Sequence, residues 1–315
     1  MKKIVYLKMM LVSSVYILWS LASINKLEVM SKTTYSLSIF KNSEFKADVD
    51  FNETEYLKYS DYILKLMVLK NDENLFKIVE LNYIDLMSKI EAITKKMSDG
   101  NLYSPEQEHL HLEINRLILN LLSSIRTYLD HTETRLKREY GVDSEEFKIF
   151  KTETSSAYDN NFSYRFLYKL RNYSQHCGLP AGSLTTSSSN EKDGTKHVLI
   201  LSLVRDNLLQ QFDWGNPITG ELQNQEEKFD ILSLINTKYN LLKKINLEIK
   251  HLAYKHHKQA GFELLHLLIN MKDKEGSPCI LKMESIGGKH NLTVKWFPFD
   301  SIKKITGVNL DKASQ

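Results

Sequence analysis

The stretch from Ser104 to Tyr140 constrains the fold more than any other part of this chain. Ser104-Pro105-Glu106-Gln107 combines an N-cap serine, a proline at the first helical position and a capping-box glutamine. Leu110, Ile114, Leu117, Leu121, Ile125, Tyr128 and Leu129 then recur at helical spacing until Tyr140-Gly141. At about 1.5 Å per residue such a helix approaches 50 Å. It must therefore pack along partners of similar length, which points to a bundle.

The neighbouring text supplies those partners. From Asn52 onward Leu57, Tyr62, Leu64 and Leu66 lead to Leu75, Ile78, Leu81, Ile84, Leu86, Ile90 and Ile93, with Asp99-Gly100 as the stop. Val142 to Glu146 starts a shorter helix carrying Phe147 and Phe150, and Asp159-Asn160-Asn161 caps another. In that helix Phe162, Phe166, Leu170 and Tyr173 mark a buried face, and Gly178 and Pro180 end it. Residues 179–195 turn small and polar and read as a loop or linker, the best candidate for a domain boundary.

Beyond the linker, His197 to Val204 is β-prone, and a long helical stretch runs from Ile231 to Met271. Cys279 to Met283 and Leu292 to Trp296 flank Gly287-Gly288 as a β-hairpin. Thr33 to Val49 alternates weakly and predicts a short strand or an ordered arm. The expected fold is mainly α: a helical bundle with long antiparallel helices and a small antiparallel β element in the C-terminal part. A helical domain over 30–182 and an α+β domain over 194–315 are expected.

Composition narrows the class of protein. With 42% hydrophobic residues in 315, the chain can bury a real core. The 12 glycines and 5 prolines argue against disorder and against a turn-rich β-sandwich. A net charge of +3 neither demands nor excludes a nucleic-acid partner. Cys177 and Cys279 form no CxxC pair and read as reduced thiols of a cytoplasmic protein.

Residues 1–29 stand apart. Lys2, Lys3 and Lys8 precede an uncharged run from Met9 to Ile24. Three readings follow: an extended start before Met30, a membrane anchor somewhat short of the roughly 20 residues that span comfortably, or a cleaved signal. The anchor reading is the one that implies membrane contact.

One segment brings a fixed cation, an amide and a titratable base together at a helix end: Leu170-Arg171-Asn172-Tyr173-Ser174-Gln175-His176. Asn172 and His176 are four apart and share a face, while Arg171 lies about 100° round from Asn172. The Arg171 fork suits a phosphate, and a histidine that titrates near neutrality suits proton transfer with an RNA 2′-hydroxyl. The same two residues would also serve as a structural pair binding the helix end. A second arginine–histidine pair, Arg126-Thr127-Tyr128-Leu129-Asp130-His131, lies mid-helix and would line the same groove with Asp130 or Glu133 as partners.

An arginine, a polar residue and then a histidine near the end of the last core helix, after long helices, resembles the HEPN superfamily over roughly residues 80–180. That resemblance implies a metal-independent, cofactor-free ribonuclease acting as a homodimer, often in phage defence or toxin–antitoxin control with a cognate antitoxin. It implies catalytic roles for Arg171 and His176, with Asn172 in support.

Other patterns carry less. His109, His111 and Glu113 are two apart on a helix and cannot share one metal, so they are expected to face solvent. His256-His257 sits in a lysine-rich stretch that reads as a solvated face or as a contact for RNA phosphates. Gly287-Gly288-Lys289 lacks the remainder of a P-loop and reads as a turn. HExxH, GxSxG and GxGxxG do not occur.

Overall fold

The computed structural model describes residues 32–99, 104–191, 194–286 and 289–309. The chain is mainly α with two small antiparallel sheets. The leader and Gly287-Gly288 lie outside the described residues.

The periodic text after Asn52 forms one helix, α1 (Glu53–Ser98). The Asn52 side chain accepts from the Glu55 N–H, and the Glu55 carboxylate accepts from the Asn52 N–H, a complete capping box. The next helix, α2 (Ser104–Glu139), runs antiparallel to α1, because Asp72 meets Arg135 while Phe76 meets Tyr128 further back along α2. Two shorter helices follow, α3 (Glu145–Asn160), capped by Ser144, and α4 (Phe162–His176).

Ser183–Glu191, expected as linker, is instead a strand, β3, paired along its length with β4 (Gly194–Val204). A ladder needs only backbone donors and acceptors. The alternating Leu199, Leu201 and Leu203 of β4 are buried and hold that strand in place for its polar neighbour. The chain continues through α5 (Arg205–Gln211), α6 (Ile218–Gln223) and β5 (Lys228–Asp230), which completes the three-stranded sheet.

The expected helical stretch from Ile231 to Met271 is two helices, α7 (Ile231–His256) and α8 (Lys258–Ile269), broken at His257. Asp230 caps α7 by accepting from the Leu232 and Ser233 N–H groups. The hairpin of β6 (Ser277–Ile286) and β7 (Lys289–Trp296) is present, and α9 (Phe299–Thr306) follows it.

The β structure is not confined to the C-terminal part. Strands β1 (Lys32–Lys41) and β2 (Glu44–Phe51) join β6 and β7 in one sheet of order β2-β1-β6-β7. The hydrophobic cores likewise do not divide at the expected boundary. One core runs from Phe76 on α1 through α2, α3, α4 and β4 to Leu252 on α7. The other joins Leu37, the first half of α1, α8, Ile280 and α9. Helix α1 takes part in both, so the 46 residues of this helix tie together what the sequence suggested were separate units.

Candidate functional site

Helix α4 carries the arginine–histidine motif, and its burial is wider than a single stripe. Tyr164, Arg165, Phe166, Leu167, Leu170 and Tyr173 are all buried, because α2, α7 and the Trp214 side chain cover more than one flank. Arg165 is among them because the Glu221 carboxylate takes its guanidinium as an ion pair, and the Tyr158 carbonyl accepts a further bond from it.

The helix stops where expected. The Cys177 N–H donates to the Tyr173 carbonyl at 2.8 Å, and Gly178 passes so close to the Tyr173 ring that a Cβ there would lie 2.6 Å from its hydroxyl oxygen. A side chain at Gly178 would force that ring to move.

Asn115 then fixes the turn after the motif to α2. It is 1% exposed; its Oδ1 accepts from the Ala181 N–H at 2.8 Å, and its Nδ2 donates to the His111 carbonyl at 2.9 Å. His111 is not solvent-facing as expected: it is half-buried, with Nε2 3.0 Å from the Ala181 carbonyl oxygen. Asn115→Leu leaves the Ala181 N–H buried and unpaired. It is expected to lower the unfolding free energy by about 2 kcal/mol, measured by denaturant titration.

Arg171 and Asn172 are half-buried and His176 is exposed. Arg171 Nη1 donates to Gln175 Oε1 at 3.1 Å, while its Nε is shielded from solvent without an acceptor. Among the described residues the side chains of Asn172 and His176 have no hydrogen-bond or ion-pair partner. Five helical steps place His176 about 140° round the axis from Arg171. The fold therefore leaves the guanidinium and the imidazole of one chain on different faces.

The second pair also separates. Arg126 Nε donates to Asp130 Oδ2 at 2.7 Å, its Nη1 donates to the Tyr168 hydroxyl, and its guanidinium carbon lies 4.9 Å from the Tyr168 ring centre. A groove of about 480 Å³ between α2, α3 and α4 is lined by Arg126, Asp130, Glu133, Lys151, Tyr158 and Tyr168 among others. His131 is exposed and faces a different cleft.

What the fold does bring together is Arg126 and Arg171, which line one small cavity with Lys238 of α7. Lys238 is 1% exposed; its Nζ donates to the Tyr164 carbonyl at 3.3 Å and lies 4.8 Å from the Tyr164 ring centre. Burial, with the Arg126 charge in support, pushes its ammonium pKa down to about 7. The signal was present in the sequence. Lys238 sits three residues after Ile235 and four before Leu242, on the spacing of the core face.

The cleft that His131 faces, about 840 Å³, lies between α1, the end of α2 and the α7–α8 break. Its apolar wall is Leu64, Val68 and Leu75. The polar wall is a network in which Arg135 Nε lies 3.2 Å from Asp72 Oδ2, Arg135 Nη1 donates to Glu139 Oε2 at 3.1 Å, and His257 Nε2 lies 3.7 Å from Glu139 Oε1. Asp72 Oδ2 and Arg135 Nε are close as charges but not aligned as a hydrogen bond. Burial raises the Asp72 carboxyl to about 6 against the pull of Arg135. Burial also works to raise Glu139, but His257 and Arg135 outweigh it and hold that carboxyl below its usual value. Asp72 and His257 are too far apart in sequence for any local pattern to pair them.

Among the described residues no three His, Cys, Asp or Glu side chains come together as ligands for a metal ion. No described helix is long and apolar enough to cross a membrane. Cys177 is exposed, and the thiol of buried Cys279 is raised to about 11 by burial. In comparisons with known proteins, no family model, no curated protein and no solved structure matches this chain.

Proposed function

We propose that the chain is a metal-independent endoribonuclease of the HEPN kind, acting in the cytoplasm, with a site completed by a second copy of itself. The observation that carries this reading is the absence of any acidic partner on either motif residue. Arg171 is bonded only to the neutral amide of Gln175, and His176 stands exposed at the helix end without a partner among the described residues. Both keep their capacity for a phosphodiester. Two copies meeting at this helix end would place the imidazole of one beside the guanidinium of the other.

In that arrangement His176 removes the 2′-hydroxyl proton as the 2′-oxygen attacks the adjacent phosphorus. The bond to the 5′-oxygen breaks, the proton passes to that oxygen, and a 2′,3′-cyclic phosphate remains. Arg171 steadies the charge that grows on the phosphoryl oxygens, and Asn172, on the His176 face, is the supporting polar residue that positions one of the two side chains once the site is complete. A place in phage defence or toxin–antitoxin control, with a cognate antitoxin, rests on the resemblance alone.

The test is incubation of the full chain with RNA in EDTA. Wild type is expected to cleave, with His176→Ala slower by about 100-fold or more and Arg171→Ala similarly impaired. Equal cleavage by all three, or none by wild type, removes the proposal. A second reading, a non-catalytic helical module for a protein or nucleic-acid partner, draws on the Gln175 bond that ties Arg171 away from His176. It predicts RNA or protein binding without cleavage.

A further inference from the structure

One apolar stripe runs the length of α1, and only part of it is covered. Leu57, Val68, Val79 and Ile90 are 11 residues apart, and so are Leu64, Leu75, Leu86 and Met97. Eleven residues make about three turns, so these side chains form a nearly straight line along the helix. Val79, Leu86 and Ile90 are buried in the first core, and Leu75 and Met97 pack against it. Leu57 and Leu64 are each 57% exposed, and Val68 is 38% exposed.

The end of α2 explains the difference. Its Arg135 lies beside Asp72 of α1, and the helix stops one turn later at Glu139. Gly141, at φ +91°, then turns the chain, and α3 packs on α2, α4 and α7 instead of continuing along α1. The α1 segment cannot rotate to hide its stripe, because Tyr56, Ile63, Leu66 and Leu69 hold its opposite side in the second core. A helical surface is therefore left uncovered from Leu57 to Val68, with Leu75 at its inner end. From Leu57 to Leu75 it measures about 27 Å, roughly five turns of helix.

The adjoining wall is cationic. The cleft of about 840 Å³ beside Leu64, Val68 and Leu75 carries Lys65, Arg135 and Arg138 against two carboxylates, Asp72 and Glu139. Both carboxylates are already engaged. Arg135 lies 3.2 Å from Asp72 and donates to Glu139 at 3.1 Å, and His257 lies 3.7 Å from Glu139. Arg138 and His131, on the same wall, are exposed and have no ion-pair partner among the described residues.

We propose that this seat docks an amphipathic, acidic helix of another protein, laid along α1 in line with α2. Its apolar stripe covers Leu57, Leu64, Val68 and Leu75, and its acidic flank faces Arg138 and His131. A helix fits better than a small molecule, because the groove is open along its length and its apolar side chains repeat at helical spacing. A second copy of the chain fits less well, since a two-fold contact brings the cationic flanks of both copies to one side. The seat shares no lining residue with Arg171, Asn172 or His176, so the inference goes beyond the cleavage reading.

The probes are two labelled helical peptides of about 20 residues with leucines at the 7-4-7 spacing of Leu57, Leu64, Val68 and Leu75. Glutamates flank the leucines in one peptide and lysines in the other, and each is titrated with the full chain by fluorescence anisotropy. The glutamate peptide is expected to bind at least about ten-fold more tightly than the lysine peptide. Leu64→Glu, at a position already 57% exposed, is expected to weaken binding by about ten-fold or more with the thermal midpoint unchanged. Arg138→Glu is expected to abolish the preference for glutamate over lysine. Equal binding of the two peptides, binding of neither, or binding that Leu64→Glu leaves unchanged would overturn the proposal. So would a dimer in sedimentation that Leu64→Glu splits, which would give this face to a second copy. No RNA enters these measurements, so their failure and the failure of the cleavage reading are told apart.

Discussion

Lys238→Met is expected to make the protein more stable, by about 2–3 kcal/mol near pH 7. The ammonium pKa falls from 10.5 to about 7 on folding. Between these values the unfolded chain holds a proton that the folded chain has released, so stability rises with pH. The penalty is complete below pH 7 and gone above 10.5. A gap of about three and a half units corresponds to at most about 5 kcal/mol. Methionine gives up the bond to the Tyr164 carbonyl and the contact with the Tyr164 ring, an offset of about 2 kcal/mol. Denaturant midpoints compared near pH 7 and pH 10.5 decide the matter. The advantage should shrink and then reverse as the lysine loses its charge in both states. A difference that does not change with pH would mean that the amine is not the source of the cost.

Trp214→Ala works in the opposite direction and is expected to cost about 3–5 kcal/mol. Trp214 is 1% exposed, although it lies between α5 and α6 rather than inside a helix. Its ring stacks on Phe166 at 5.2 Å and on Tyr173 at 5.7 Å, and Phe212 meets it edge-on at 5.2 Å. Nε1 donates to the Leu208 carbonyl at 2.8 Å, so the one polar group of the side chain is satisfied. Alanine leaves a void against three rings and an unpaired carbonyl. Because Tyr173 forms the last turn of α4, and its hydroxyl donates to Gln211 Oε1 at 2.6 Å, the loss is also expected to loosen the end of the motif helix. Trp214→Phe should recover most of the stability, since it keeps the stacking and loses mainly the indole bond. Urea unfolding of the two variants beside wild type gives the comparison, and a cost below about 1 kcal/mol for alanine would contradict the packing account.

Periodic elements were legible in the sequence because one face of each was buried on a fixed spacing. Leu110 to Leu129 mark α2, and the apolar spacing from Asn52 onward marks α1, whereas the Asn52–Glu55 capping box at its start is seen only in the structure. Strand β3 was not legible, since Ser183 to Glu191 has almost no apolar side chain and its pairing is set by the partner strand. The first sheet was missed as a unit because Tyr35 pairs with Lys282, a contact no local window can contain. At the candidate site the residue types were readable but their company was not. Arg171 lines one small space with Arg126 and Lys238 and stands on a different face from His176, and those two residues come from two other helices. In the sequence Arg126 is marked by its own histidine, whereas Lys238 is not marked, because a lysine on a core spacing reads as an interruption.

The pairing of β1 with β6 has a consequence during synthesis. The hairpin of β1 and β2 leaves the ribosome well before the strand that covers its open flank, which is made only after α1 to α8. Until then the backbone groups of residues 32–41 are a sticky edge, open to the same strand of any neighbouring nascent chain. Slow translation or a stalled ribosome would lengthen that interval, so yield on expression should respond to chaperones that shield strands rather than to factors that act on helices.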